Sequence, residues 1–272
     1  MNYRHAFHAG NFADCMKHAV LVWLLRALAR KDKPFFVLDT HAGIGQYDLT
    51  ADEAQRTGEA ADGILRLLES PPEPLADYLG VVAQTGLYPG SPAIIRALLR
   101  PGDRLAACEL HPEDHARLRR RFSRDAQVSV HLRDGYEALG ALLPPAERRG
   151  LVLIDPPYEA PDEVERLLAG LLVAHARFPG ATLAAWYPIK HRAPVRGLHD
   201  SLRSGPIRDI VAAEFLLRAP VDAARLNGCG LLVINPPYRF ETEIPPILDA
   251  LLDRLSDGAA GAESVVARLA DE

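Results

Sequence analysis

The sequence predicts an α/β fold in which a doubly wound, mostly parallel sheet of seven strands is interrupted by a helical insertion. Three observations carry that prediction. Short runs of apolar, β-branched or aromatic residues recur along the chain and end in turn signals, as strands buried on both faces do. Stretches of helical periodicity separate these runs, and strands that alternate with helices build parallel sheets. One interval, between the first and second runs, is roughly twice as long as a single crossover requires.

Residues 1–30 precede the first strand. Within them Asp14–Ala29 reads as an amphipathic helix whose first turn places Lys17 and His18 beside a Gly10-Asn11 turn. The first strand is Phe35–Asp39. Residues 50–90 are charged and helical over Asp52–Leu68, pass a joint at Pro71, Pro72 and Pro74, and become helical again. They are expected to form an inserted helical subdomain in a main domain made of residues 1–49 and 91–272. Insertions of this kind usually carry substrate contacts; a passive decoration is the alternative.

The second strand, Leu105–Glu109, is followed by a helix at Pro112–Arg124. The third, Val128–Leu132, is followed by a helix at Gly135–Leu143, and the fourth, Leu151–Asp155, by a helix at Pro161–Arg177. A fifth strand at Leu183–Tyr187 leads to a helix at Val195–Ser204. Ile210–Leu217 and Leu231–Asn235 read as an antiparallel pair, and Pro245–Leu255 as a last helix. Beyond it, Ala259–Gly261 loosens the tail. There is no internal repeat and no low-complexity tract.

Composition narrows the function classes. The chain has 272 residues, 48% hydrophobic and 25% charged, as an ordinary globular protein does. No apolar run approaches the roughly 20 residues of a membrane span, and no secretory leader pattern opens the sequence, so no membrane partner is expected. Cys15, Cys108 and Cys229 are far apart and odd in number, which argues against disulfides and for a reducing cytoplasm. Net charge is −5, so a nucleic-acid partner would need a local basic patch. Candidate patches are the arginines of 117–124, the set Lys190, His191, Arg192 and Arg196, and the N-terminal set Arg4, His5, His8, Lys17 and His18. A solvated helix face is the alternative for the first.

Acidic and glycine residues mark successive strand tips. Asp39-Thr40-His41-Ala42-Gly43-Ile44-Gly45 ends the first strand, and glycines let the backbone turn sharply and approach a ligand. Glu109 ends the second, placed to meet ribose hydroxyls. Asp134-Gly135 follows the third, where a carboxylate can meet an adenine amine; capping of the next helix is the alternative for Asp134. Together these describe an adenosine site that suits NAD or S-adenosylmethionine equally.

The motif Val152-Leu153-Ile154-Asp155-Pro156-Pro157-Tyr158 chooses between them. A strand delivers Asp155 to its end, and two prolines stiffen the following turn. The exocyclic amine of adenine is conjugated with its ring and is a poor nucleophile. Asp155 can accept one of its hydrogens and the Pro156 carbonyl the other, since proline keeps its acceptor. Two acceptors favour a pyramidal nitrogen with its lone pair toward a sulfonium methyl, and Tyr158 can stack on a flipped base. This transfer needs no metal. Asn235-Pro236-Pro237-Tyr238 is a rival copy. Chain order favours Asp155, which stands one helix and one loop after Asp134, as the fourth strand should.

Through these residues, and through Tyr3-Arg4-His5-Ala6-Phe7-His8-Ala9-Gly10-Asn11, Lys17-His18, Tyr88-Pro89-Gly90-Ser91-Pro92 and Glu109-Leu110-His111-Pro112, the chain resembles the bacterial RlmJ family of 23S ribosomal RNA adenine-N6 methyltransferases over essentially its whole length. Phe12 stands where the family pattern has a histidine. The resemblance implies a class I, Rossmann-like methyltransferase fold and S-adenosylmethionine as cofactor. It implies cofactor contacts from His18, His41, Gly43, Ser91, Glu109, Asp134, Gly135 and Asp155, with catalysis at the Asp155, Pro156 and Tyr158 motif. It places Tyr3, His5 and Lys17 near the RNA. The expected substrate is naked 23S ribosomal RNA or an early assembly intermediate, because an adenine must leave its stack to react, and the expected protein is a monomer. The rivals are a DNA adenine methyltransferase, an NAD-dependent dehydrogenase and a non-catalytic RNA-binding scaffold.

Overall fold

In a computed structural model, which describes residues 7–271, every one of the seven apolar runs lies in the main sheet. Helix α1 (Phe12–Ala29) comes first. Asn11 opens it as N-cap, its side chain accepting the Asp14 N–H, which satisfies one of the donors a helix start leaves free. Strand β1 (Phe36–Asp39) follows, and then β2 (Gln46–Tyr47), α2 (Asp52–Thr57), α3 (Ile64–Glu69), a 3-10 turn at Glu73–Leu75, α4 (Ala76–Gln84) and β3 (Tyr88–Pro89). Next come α5 (Ser91–Leu98), β4 (Arg104–Glu109), α6 (Pro112–Arg121), β5 (Val128–Leu132), α7 (Gly135–Leu142) and β6 (Gly150–Ile154). The chain then runs through α8 (Glu163–Arg177), β7 (Thr182–Ile189), α9 (Arg192–Ser204), β8 (Ile210–Leu216), β9 (Gly228–Ile234), α10 (Phe240–Leu255) and β10 (Glu263–Ala270).

The main sheet has eight strands in the order β10-β8-β9-β7-β6-β1-β4-β5. Strands β5, β4, β1, β6 and β7 are parallel. Strand β9 is antiparallel to both β7 and β8. The sequence predicted seven strands; the eighth is β10, paired antiparallel to β8 at the sheet edge. An edge strand buries only part of its surface, and β10 is mostly half-exposed, so no continuous apolar run announced it. Arg268 anchors it, donating to Asp209 at 2.7 Å and to Glu241 at 2.5 Å.

Alternate residues of each strand feed two core layers, as the two-residue period of a strand requires. Val37, Leu105, Leu151 and Leu153 face α1, α5 and α10. Phe36, Leu38, Ala106, Val152 and Ile154 face α7, α8 and α9. Helix α10 starts before the expected Pro245: Arg239 turns the chain in the left-handed region (φ 72°), and both prolines lie inside the helix. Burial of Phe240, Ile244 and Leu248, each contributing about 1.5–3 kcal/mol, offsets the ladder bonds the prolines cannot donate.

The long interval between β1 and β4 is helical, as expected. Its root is closed by the two-residue ladder of β2 with β3. Ile64, Leu67, Leu75, Tyr78 and Val82 from this interval share one hydrophobic cluster with α1. No helix of the described residues is long and apolar enough to cross a membrane.

Candidate active site

Parallel strands present their carboxyl ends along one edge of the sheet, where ligands of open α/β folds bind. A cleft of about 800 Å³ opens at this edge. It is lined from β1 by His41 and Gly43, from β4 by Glu109, from β6 by Asp155, Pro156, Pro157 and Tyr158, from α1 by Lys17 and His18, and from α5 by Ser91. The structure thus brings into one cavity residues scattered over most of the chain.

Asp155 leaves the tip of β6, and its Oδ2 accepts the Lys17 ammonium at 2.5 Å. Lys17 is 4% exposed and also reaches Asp14 Oδ1 at 3.0 Å. Burial works against its charge, but the two carboxylates outweigh this and hold its pKa well above the usual lysine value. Asp14 is in turn fixed by the Gly10 N–H at 3.0 Å. One oxygen of Asp155 is therefore committed to Lys17, while Oδ1 meets no donor among the described residues.

Beneath the cleft Asp39 ends β1, fully buried, with neither carboxylate oxygen in hydrogen-bonding geometry. Burial pushes its pKa up to about 7; the nearby Ser91 hydroxyl, and further off Lys17 and the His41 backbone, pull only partly the other way. An orphaned buried carboxylate is costly and calls for a cationic partner. His41 is the opposite case. Burial draws its imidazole down to about 4, against the attraction of Asp155 and Asp134. The Thr40 hydroxyl donates to the Leu153 carbonyl at 2.9 Å, so it accepts from His41 Nδ1 at 2.7 Å. A neutral ring then carries its proton on Nδ1 and leaves Nε2 as an acceptor.

Glu109 accepts the Gly43 N–H at 2.9 Å and the His111 N–H at 2.7 Å, tying the β1 turn to the tip of β4; burial raises its pKa. Gly43 has φ 59°, and a Cβ there would stand 2.4 Å from the Tyr47 hydroxyl, so only glycine fits. His18 Nδ1 lies 2.9 Å from the Tyr88 hydroxyl. Gly135 packs so closely that a Cβ would meet the Thr40 carbonyl at 2.5 Å.

Asp134 is not among the residues lining the cleft. Its Oδ1 caps α7, accepting the Tyr136 and Glu137 N–H groups at 2.8 and 3.2 Å, and its Oδ2 faces Arg166 at 3.3 Å. Tyr158 stands against the cleft wall. Its hydroxyl donates to the Trp186 carbonyl at 2.9 Å and its ring meets Trp186 edge-on at 5.7 Å. Asn235 lies elsewhere. Strand β9 runs against the parallel strands, so its carboxyl end reaches the opposite edge of the sheet, beside Leu183 at the start of β7 and Ile210 at the start of β8. Tyr3, Arg4 and His5 lie outside the described residues.

Sequence reasoning passed over several residues. Asp14 sits one turn before Lys17 and His18, a spacing that puts all three on one helix face. Glu59 accepts from His8 and Asn11, both at 2.9 Å, and so pins the segment before α1 to the α2–α3 turn; nothing local foretells this contact. Trp186, Arg218 and Arg225 join the cleft wall from β7 and the β8–β9 loop. Only the sheet order brings them there.

The family model described as ribosomal RNA large subunit methyltransferase D, RlmJ, matches residues 32–268. The chain is 40% identical to ribosomal RNA large subunit methyltransferase J of Escherichia coli K12, over 97% of this chain and 98% of that protein. It is likewise 40% identical to the protein of the same name from Haemophilus influenzae, with the same coverage. The crystal structure of protein LPL1258 from Legionella pneumophila superposes with a TM-score of 0.87 at 36% identity, covering 96% of this chain and 98% of that one.

Proposed function

This chain belongs to the RlmJ family of large-subunit ribosomal RNA methyltransferases, and from that premise we propose that it methylates the N6 amine of an adenine in 23S ribosomal RNA, with S-adenosylmethionine as donor. The observation that carries the reading is Asp155: a carboxylate at a strand tip, gripped on one oxygen by a buried lysine, with the other open to the cleft.

The cleft suits that donor. Glu109 would accept from the donor's ribose hydroxyls. His18, His41 and Ser91 would complete the pocket, with Gly43 and Gly135 giving the backbone room. Asp134 would act from its place at the α7 cap. Carboxylates at this end favour a cation over the pyrophosphate of NAD. When bound, S-adenosylmethionine supplies a methyl group on a cationic sulfonium.

The chain's own residues prepare the acceptor. Lys17, buried rather than offered to a phosphate, fixes the Asp155 rotamer. Asp155 Oδ1 accepts one N–H of the amine and the Pro156 carbonyl accepts the other, turning the nitrogen lone pair outward. Holding reacting atoms at near-attack distance supplies much of such an acceleration. Asp155 is then the group placed to take the departing proton. Tyr158 and Trp186, set edge-on to each other, would line the path of an extruded base. In the same reading, residues 50–90 act as an insertion that closes the cleft over the α1 segment, and Tyr3 and His5 approach the RNA. The protein works as a cytoplasmic monomer on naked or partly assembled RNA.

The test incubates the protein with methyl-labelled S-adenosylmethionine and, separately, 23S ribosomal RNA, transfer RNA and DNA. Nucleoside mass spectrometry should find N6-methyladenosine from the first alone. Label in DNA, or in another nucleoside, overturns the assignment.

A further inference from the structure

The cleft is electrically divided. On the side of β1, β4 and the β1–β4 interval its walls carry Glu53, Glu59, Asp62, Glu109 and Asp114, with one arginine, Arg117, among them. On the side of β7 and β8 they carry Lys190, Arg218 and Arg225. Topology explains the second group. Gly228, the first residue of β9, pairs with both Ile189 and Leu216. The turn after β7 and the loop from β8 to β9 therefore meet above the same edge from which Asp155 projects.

One buried side chain locks these two segments together. Asn227 is 1% exposed. Its Nδ2 donates to the Lys190 carbonyl at 2.9 Å, the Asp222 carbonyl at 2.7 Å and the Arg225 carbonyl at 3.3 Å. Its backbone N–H donates to the Ile189 carbonyl at 3.1 Å. The backbone beneath Lys190 and Arg225 is thus fixed from a single point, while both side chains are exposed.

None of the three cations pairs with a carboxylate among the described residues. Among the described residues Arg218 donates only to the Leu226 carbonyl, at 3.5 Å. Asp222, the acid of the same loop, accepts the Ala224 N–H at 2.9 Å. By contrast Arg192, two residues beyond Lys190, is held between Glu214 and Glu263. In a chain with 36 acidic residues against 31 basic ones, three cations on one rim without a carboxylate partner among the described residues offer a site to an external anion. Tyr158, Trp186 and Pro188 line the same cleft, an apolar path for a base between the cations and Asp155.

We propose that Lys190, Arg218 and Arg225 form a phosphate clamp that grips the RNA backbone at the target nucleotide, so that its base swings across Tyr158 and Trp186 to Asp155. The clamp rests on the RNA-methyltransferase reading above for the identity of the strand. Phosphate contacts set register and carry no base information, so the clamp governs affinity and its salt dependence, not which adenine is chosen.

The test uses the full chain. Binding of a fluorescein-labelled single-stranded oligoribonucleotide is followed by anisotropy over a salt series, and methylation of 23S ribosomal RNA is measured alongside. Each phosphate contact to a single strand contributes about 0.7 to the slope of log affinity against log salt. The variant K190A/R218A/R225A should lose about 2 from that slope, raise KM at least roughly tenfold and leave kcat within about twofold. Arg225→Ala alone should lose about 0.7, and Arg225→Lys should keep the slope. Arg203→Ala, an exposed arginine paired with Asp200 on α9, is the control. A triple variant with the wild-type slope and KM overturns the clamp and leaves the methyltransferase reading standing. A wild-type protein that neither binds the oligoribonucleotide in a salt-dependent way nor methylates RNA overturns that reading, and the clamp with it.

Discussion

The chain writes nearly the same four residues twice, Asp155-Pro156-Pro157-Tyr158 after β6 and Asn235-Pro236-Pro237-Tyr238 after β9, and the fold treats the two copies in opposite ways. The first opens on a cleft, with a carboxylate whose Oδ1 meets no donor and a tyrosine held on the Trp186 carbonyl. The second closes a structural joint. Asn235 donates to the Pro179 and Ala181 carbonyls at 2.9 and 2.8 Å, and Tyr238 is 84% exposed. The left-handed residue stands at opposite ends of the two copies, Tyr158 in the first and Asn235 in the second, both at φ 52°, but that local difference does not decide which copy meets the cleft. Strand direction does. A motif at the carboxyl end of a parallel strand faces the ligand edge, and the same motif on an antiparallel strand faces away. The edge at the cleft leaves a carboxylate oxygen without a donor among the described residues, and the other edge satisfies its amide at once.

The contrast breaks most sharply on activity. Asp155→Ala should cost about 10²–10⁴-fold in methyl transfer, whereas Asn235→Ala should leave the rate within about twofold of wild type. The reverse order in a labelled-methyl assay would move the active centre to the other edge. Stability gives the next largest effect. Lys17→Met leaves the buried Asp14 and the cleft-facing Asp155 without their cation, and loss of one partner from a buried ion pair costs about 3–5 kcal/mol; denaturant unfolding measures it. Asn235→Ala removes two hydrogen bonds at the quiet edge and should cost about 1–3 kcal/mol, with no change in KM. A loss at Lys17 no larger than at Asn235 would mean the active edge stores no special electrostatic tension.

A pH series sharpens the same comparison. Asp39 has a carboxyl raised to about 7 in the fold against an ordinary 3.8. Between those values the folded state binds the extra proton, so this group's contribution to the ligand-free protein is lost as pH rises from about 4 through 7. Asp39→Asn should remove that contribution, seen as a melting temperature that climbs with pH across this window more than the wild-type one does. His41 contributes with the opposite sign. Its folded pKa of about 4 lies below the ordinary 6.5, so the unfolded state holds the extra proton and stability falls as pH drops through that interval. The smallest effect belongs to Tyr238→Ala, which should change stability by less than about 0.5 kcal/mol. Tyr158→Phe, losing its bond to the Trp186 carbonyl, should cost about 1 kcal/mol.

Much of this was legible along the chain. Six of the seven apolar runs announced strands with neighbours on both sides, which are apolar on both faces, the seventh announced the edge strand β5 through its two valines, and Asp155 announced a carboxylate at a strand tip because prolines after it stiffen a turn. Strand β10, at the other edge, opens on Glu263 and Ser264 and is broken by Arg268, so it did not stand out as an apolar run. Asp134 was readable two ways, and its hydrogen bonds to Tyr136 and Glu137 show the cap without testing the cofactor contact. Lys17 read as a cation available to RNA, because sequence cannot report that Asp14 and Asp155 enclose it. Glu59, Trp186 and Arg225 carried no signal, each acting only through a contact with a distant segment.

By itself the sequence determined the class of fold, the carboxylate at the end of the fourth predicted strand and the pair of competing Pro-Pro motifs, for these rest on residue chemistry and spacing within one element. Tertiary structure alone decided which motif meets a cleft, that Lys17 is clasped between two acids, that Asp39 is left without a partner and that three cations share one rim. Those properties depend on the direction and order of strands in the sheet. Long-range pairing sets both, and no local pattern encodes them.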